Sequence, residues 1–349
     1  MKNHEEVAKD VFAKISMYEQ RTAHRKKIFH RITSTLSIIA ISFCMIMTLS
    51  VGYAFAAGFG LITDFLGFFE KQSGTLLSEN QQLYLEDSIA EIGKSVTREG
   101  VTVTMNAALT DGSIYYIYLD IEAPEDISLN KLNGHGLGFT RTLSSKNPNR
   151  HDISFASRGC IPIEDFDGKN NTISMLLRTN VGVPSDSLFS FADGYERTLT
   201  LENLFAYSDE YPYEQYIIAT GPWCFNFFFT SDVQGTEGSV ELLESPLDCC
   251  GKTNSGEYAS ISINSICMKN LGITFDYDFA QGIQEEAIDL GVVKIVMKDG
   301  SIINTIPSGA VIGKCSFVFS APVIINDVEC ITINDDVVVY VNPNESDCP

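Results

Sequence analysis

The chain has 349 residues, 24 of them basic and 45 acidic, for a formal net charge of −21. That length buries a sizeable core without cross-links. An acidic surface repels phosphate backbones, which excludes the bulk of the chain as a direct nucleic-acid binder. The two signs are also separated. Residues 1–33 carry eight Lys or Arg against four acids, whereas 16 basic and 41 acidic residues follow Ala57.

In chain order, the first element is a helix within residues 1–33. No Gly or Pro interrupts Asn3 to Arg31, and Val7, Val11, Ile15 and Tyr18 recur at spacings of four, four and three, which places them on one face. Asn3 and Glu6 form a capping pair at its start. So small a stripe does not fold alone. It is expected to dock in a partner's groove or on the inner leaflet, against the plainer reading of a solvated flank.

Next comes Leu36 to Ala57, 22 residues without a charge, which as a helix spans about 33 Å and matches a bilayer core. Arg25, Lys26, Lys27 and Arg31 precede it, and Asp64 and Glu70 are the first charges beyond it. The positive-inside rule therefore predicts one transmembrane helix over residues 34–57, in contact with lipid, with a cytoplasmic N terminus and an extracellular C-terminal domain. A cleaved signal peptide competes with this, because Ala54-Phe55-Ala56 has the small-x-small form of a cleavage site. The long segment ahead of the apolar run argues for an anchor instead.

Residues 58–95 read as a connector. Gly58 to Phe69 stays apolar and is expected at the outer membrane interface, and Leu76 to Ile92 reads as a short helix carrying Leu77, Leu83, Leu85 and Ile89. From Gly100 the apolar period falls to two, the mark of sheet. Val101 to Met105, the Asp111-Gly112 turn and Ile114 to Ile121 predict a hairpin. Further strands are predicted at residues 172–177, 197–201, 223–230, 239–243, 258–266, 273–277, 292–297, 301–306, 315–319 and 329–341. The predicted class is mainly β: antiparallel sandwich modules behind a cytoplasmic helix and one transmembrane helix. A Tyr/Pro/Gly-rich stretch at residues 207–221 divides them into a first domain, 96–210, and a second, 211–349.

Catalytic signals are sparse. Only His135 and His151 lie beyond the apolar run, without a GxSxG, HExxH or phosphate-binding glycine loop, and no enzyme activity is expected. Glu164 to Asn170 is shaped loosely like a calcium loop but ends without the bidentate Glu, and reads as a solvated turn. No metal site and no cofactor are predicted. Eight cysteines follow the apolar run, and two readings stay open for them: disulfides of an exported domain, or small buried hydrophobes. The aromatic runs Tyr115, Tyr116, Tyr118 and Trp223, Phe225, Phe227, Phe228, Phe229 read first as sheet core and second as a sugar or peptide platform.

One resemblance gathers these features. Gly52-Tyr53-Ala54-Phe55-Ala56, the Gly60 to Phe69 stretch, Ser95-Val96-Thr97-Arg98-Glu99-Gly100-Val101-Thr102-Val103-Thr104 and Asp111-Gly112-Ser113-Ile114-Tyr115-Tyr116-Ile117 resemble a family of Gram-positive membrane proteins carrying domain of unknown function 4179, over about residues 30–125. Gly221-Pro222-Trp223-Cys224-Phe225 is similar to its C-terminal half. The resemblance implies a membrane-anchored, anti-sigma-like regulator paired with an extracytoplasmic-function sigma factor. The cytoplasmic helix would hold that factor through Val7, Val11, Phe12, Ile15 and Tyr18, and the outer domain would sense an envelope signal carried by an extracellular ligand yet to be identified. The outer cysteines depart from the family pattern, and the inner segment has no zinc anti-sigma motif. A surface-displayed binding or adhesion protein with a passive anchor is the alternative reading.

Overall fold

The computed structural model describes residues 61–132, 136–145, 160–163, 169–180, 196–207, 214–228, 240–243, 245–280, 286–335 and 337–340. Residues 1–33, the apolar run at 34–57, His135, His151 and Glu164 to Gly168 lie outside the described residues. No described helix is long and apolar enough to cross a membrane. The chain separates into two compact units, Met1–Ala57 and Gly58–Pro349, and the described residues all belong to the second.

That unit is mainly β, and its sheets are antiparallel. Two helices lead into it: α1 at residues 61–73 and α2 at Glu79–Ser88. A five-stranded sheet follows, in the order β1 (Ala90–Arg98), β2 (Val101–Thr110), β3 (Ile114–Glu122), β6 (Thr172–Asn180), β5 (Cys160–Ile163). A helical turn, α3 (Leu129–Leu132), lies between β3 and the next strand. Against the five-stranded sheet packs a three-stranded one, β4 (Gly138–Ser145), β7 (Glu196–Tyr207) and β8 (Gln215–Phe228). The predicted hairpin is present, with Thr110 opposite Tyr115 and Met105 opposite Leu119, and one bulge between Met105 and Ala107.

The two sheets share one core. Val103, Met105, Ile117 and Leu119 from the first face Leu143, Leu199, Leu201, Trp223, Phe225 and Phe227 from the second. The Trp223 indole N–H is satisfied by the Val101 carbonyl at 3.2 Å, as a buried indole requires. This corrects the domain boundary expected at 210/211. Tyr207 pairs with Gln215 and Leu201 with Trp223, so strands on either side of that boundary belong to one sheet, Gly221 and Pro222 lie within β8, and the described residues after Phe228 join the second core. A Gly-Pro pair inside a strand resembles a linker in sequence, because linkers and turns favour the same two residues.

The second module is a ten-stranded sheet ordered β13-β10-β11-β12-β16-β15-β14-β17-β18, with β9 on the side of β11. Its strands are β9 (Val240–Glu241), β10 (Leu247–Thr253), β11 (Tyr258–Met268), β12 (Gly272–Phe279), β13 (Ile288–Asp289), β14 (Val293–Met297), β15 (Ile302–Val311), β16 (Lys314–Phe319), β17 (Val328–Ile333) and β18 (Val337–Tyr340). The first half of β15 pairs with β14 and its second half with β16, across a bulge at Pro307/Gly309. The sheet thereby folds over itself, and Ile263, Phe275 and Phe317 meet Val293, Ile295 and Ile331 in one core. The strand predicted over 329–341 is two strands, because Asn334 and Asp335 take positive φ in a turn; short polar side chains tolerate that conformation. The seven described cysteines form no disulfide with one another, which leaves the disulfide reading without support among them. Cys315 is a buried hydrophobe.

Candidate functional site

The site is the seam where α1 and α2 meet both β modules, and its origin lies in one strand. β3 is buried on both faces from Ile114 to Leu119. Tyr115, Ile117 and Leu119 enter the core between the sheets, whereas Ile114, Tyr116 and Tyr118 enter a second apolar cluster on the opposite face. A sheet face so apolar has to be covered, and α1 covers it. Phe65 and Phe69 are fully buried and Phe68 nearly so. These spacings of three and four put them on one helical side. Their rings meet β3 directly: Phe69 lies 5.2 Å from Tyr116 edge-on, Phe68 5.7 Å from Tyr116, and Phe65 6.2 Å from Tyr118. The sequence places Gly58 to Phe69 at the membrane interface. From residue 61 onward the apolar side is packed on protein instead, because β3 offers a dry face that sequence periodicity reads only as a strand.

α1 ends where Gly74 takes φ +74 and its N–H bonds the Glu70 carbonyl at 2.9 Å, a left-handed helix cap that glycine adopts without strain. α2 begins four residues later with a capping box. The Gln81 amide N–H donates to Ser78 Oγ at 3.3 Å, and the Ser78 N–H donates to Gln81 Oε1 at 2.8 Å. Both helices also reach the second module. Gln81 Nε2 donates to the Pro322 carbonyl at 2.6 Å, Asn80 Nδ2 to Asp327 Oδ2 at 2.9 Å and Gln72 Nε2 to the Phe319 carbonyl at 3.2 Å. Leu271, Val318 and Ala321 of that module join the apolar cluster with Phe65, Phe69, Leu77 and Leu85.

At the far end of the seam Asp111, only 1% exposed, ties the modules together. Its Oδ1 accepts the Ser113 and Ile114 N–H groups at 2.8 and 2.9 Å, closing the β2–β3 turn, and its Oδ2 accepts the Leu271 N–H of the β11–β12 turn at 2.9 Å. Burial pushes this carboxyl above the usual range, opposed by Lys269 and the three amides. Contact here is close: a Cβ on Gly272 would lie 2.4 Å from Ile114 Cδ1 and 2.6 Å from the Phe317 carbonyl oxygen.

A polar chain runs beside the rings. Tyr118 lies beside Asp64 of α1 and Ser174 of β6. Ser174 Oγ donates to Asp120 Oδ1, and Asn106 Nδ2 donates to Asp120 Oδ2, each at 2.6 Å. Desolvation raises the Asp64 carboxyl, with the Asp120 charge adding to it and the Tyr118 bond opposing.

Among the described residues no group of three or more metal-ligating side chains gathers. Val7, Val11, Phe12, Ile15 and Tyr18 lie outside the described residues. Tyr115, Tyr116, Trp223, Phe225 and Phe227 are core, whereas Phe228 is 56% exposed. Sequence reasoning missed Asp64, Gln81 and Asp111 as seam residues. The only signals were a Ser-x-x-Gln cap and an Asp-Gly turn, both of which are local and silent about distant partners.

The seam thus belongs to an antiparallel β region led in by a two-helix clamp. Residues 24–123 match the family described as Domain of unknown function (DUF4179), the one the sequence resembles, and the matched stretch takes in α1, α2 and β1 to β3. Among solved structures it is similar to a conserved domain protein from Bacillus anthracis, at 12% identity over 70% of this chain and 75% of that one, with a TM-score of 0.43. It is also similar to S. aureus TarS, at 11% identity over 75% of this chain and 47% of that one, with a TM-score of 0.17. No curated protein matches the chain.

Proposed function

We propose that the chain is a single-pass membrane regulator of the anti-sigma type. Residues 34–57 cross the bilayer, and the cytoplasmic helix holds an extracytoplasmic-function sigma factor through Val7, Val11, Phe12, Ile15 and Tyr18. The β modules outside respond to an envelope signal, and no catalytic step is required. The observation that carries the reading is the burial of α1. This helix is in place by residue 61, four positions after Ala57, and its Phe65, Phe68 and Phe69 are buried in the seam that contacts both modules. In this reading a rearrangement of the outer region moves α1, the first described element after the proposed membrane span. The apolar stripe at Val7, Val11, Ile15 and Tyr18 supplies the inner end of that path.

The test is a pull-down with the full chain from membranes of a cell that also expresses an extracytoplasmic-function sigma factor. Retention is expected for the native chain. Val11→Asp combined with Ile15→Asp is expected to lower it by roughly a hundredfold, since each places a charge in an apolar contact worth about 1–3 kcal/mol. Unchanged retention in the double variant, or none in the native chain, overturns the reading in favour of an anchored surface-binding protein.

A further inference from the structure

We infer that β1 is a strap that couples the helix seam to the edge strand β8, so that loosening α2 releases the β8 edge and untying that edge loosens α2. The inference rests on the proposed function only for the direction in which such a change travels.

The strap has no slack at its seam end. α2 stops at Ser88 and β1 starts at Ala90, so Ile89 alone joins them. The Ile89 N–H bonds the Leu85 carbonyl at 3.1 Å, and the residue packs against the apolar cluster of α1 and β3. Ala90 and Ile92 already pack against the core between the sheets. A joint of one residue, held by apolar contacts on both sides, has no loop in which to absorb a displacement of the helix.

At its other end the strap is tied across to β8, the outermost strand of the three-stranded sheet. Positions 94, 96 and 98 share one side of β1. Val96 packs against the core, while Lys94 Nζ donates to the Asn226 carbonyl and Arg98 Nε to the Pro222 carbonyl, the latter at 3.2 Å. Glu99 Oε2 accepts the Thr220 N–H at 2.7 Å. Backbone groups on the free side of an edge strand ordinarily face water or a further strand. Here three of them are held by charged side chains instead.

Glu99 carries its tie at a local cost. It has φ +48 and Gly100 has φ +79, and in a two-residue turn of this form Asn or Gly is favoured where the glutamate stands. Its carboxylate reaches Thr220, which neither end of the β2 ladder does. Between the two ends β1 is mostly exposed, and its pairing with β2 shifts register between Glu91 and Lys94. Its position is therefore set largely by what holds it at α2 and at β8.

Hydrogen exchange in the full-length chain reads the two ends separately, at the Ile89 and Thr220 amides. Arg98→Ala combined with Glu99→Gly removes two ties while relieving the turn. It is expected to speed Thr220 and, at the far end, to speed Ile89 by at least about fivefold. Leu85→Ala opens a cavity under α2 and touches no tie, yet is expected to speed Thr220 by at least about fivefold, because coupling between two sites acts equally in both directions. If Leu85→Ala does not fold, Leu85→Val supplies a smaller cavity for the same reading. Two amides of the second module serve as references: Ile331 at the centre of β17, and Gly291, bonded to the exposed Asp289 carboxylate at 2.8 Å. Both are expected to hold. A response confined to the end that carries the substitution overturns the coupling and leaves β1 as a cover for the edge. An equal rise at Ile331 or Gly291 overturns it too, since general loosening then accounts for the change. Sigma-factor retention is scored on separate samples, so loss of retention with reciprocal exchange intact counts against the regulator alone.

Discussion

Replacing Asp111 with alanine is expected to loosen the two β modules from each other and to lower the midpoint of thermal unfolding by roughly 10 °C, from a loss on the order of 3–5 kcal/mol. The size of the effect follows from what the carboxyl does. It is nearly inaccessible, and three N–H groups converge on it, two from its own turn and one from Leu271 in the other module. Removing it leaves buried donors without acceptors, which costs more than a lost hydrogen bond between exposed groups. Asp111→Asn is a graded control. Its single carbonyl oxygen can keep the turn or the Leu271 bond, while its NH2 faces whichever donor remains, so an intermediate midpoint is expected. Hydrogen exchange adds a local readout. Amides of the β11–β12 turn should lose protection in the alanine variant while the centre of β17 stays slow. A midpoint within about 2 °C of the native one would show that Leu271 finds another acceptor.

The second large effect is expected for Phe69→Ala, at about 3–5 kcal/mol. Phe69 is fully buried and its ring meets both Phe68, at 5.0 Å, and Tyr116, at 5.2 Å. Truncation removes apolar burial and two edge-on ring contacts and leaves a cavity beneath the helix. Since α1 carries nothing comparable on its outer side, the loss should appear as undocking of the helix before the sheets melt. Limited proteolysis after Lys71 reads this directly, with cleavage expected to accelerate by at least about tenfold if the site is cut from the undocked state. Phe69→Leu should recover most of the resistance, because it fills much of the space. Equal cleavage of the native and alanine chains would mean that α2 alone holds the seam closed.

How much of this could be read from the chain depended on whether the deciding contacts were local. The β2–β3 hairpin was legible because strand alternation and the Asp111-Gly112 turn specify it within twenty residues. The strands at Thr172, Tyr258 and Val293 were legible for the same reason. β1 was not, since Ala90 to Arg98 is mostly exposed, carries Gly93 at positive φ and gains its strand character by pairing with β2. β4, β5, β10 and β13 were missed as well, as short or polar strands that depend on neighbours. The module boundary was misplaced because Pro222 and Gly221 lie within a paired strand. α2 was placed within three or four residues at each end, but α1 was read as membrane-surface chain, because its phenylalanines look the same to a lipid and to the ring of Tyr116. The seam could not be read at all. Asp111 and Leu271 are 160 residues apart, and no periodicity spans that distance.

The double burial of β3 sets a practical limit on how the molecule can be divided. A fragment beginning at the first strand would keep every sheet pairing and still uncover Tyr116, Tyr118, Leu176 and Leu109 together with the apolar edge of Leu271 and Val318. A continuous patch of that kind drives self-association in water. Such a fragment should elute as aggregates on size exclusion, whereas one that starts ahead of residue 61 brings its own cover and should run as a discrete species.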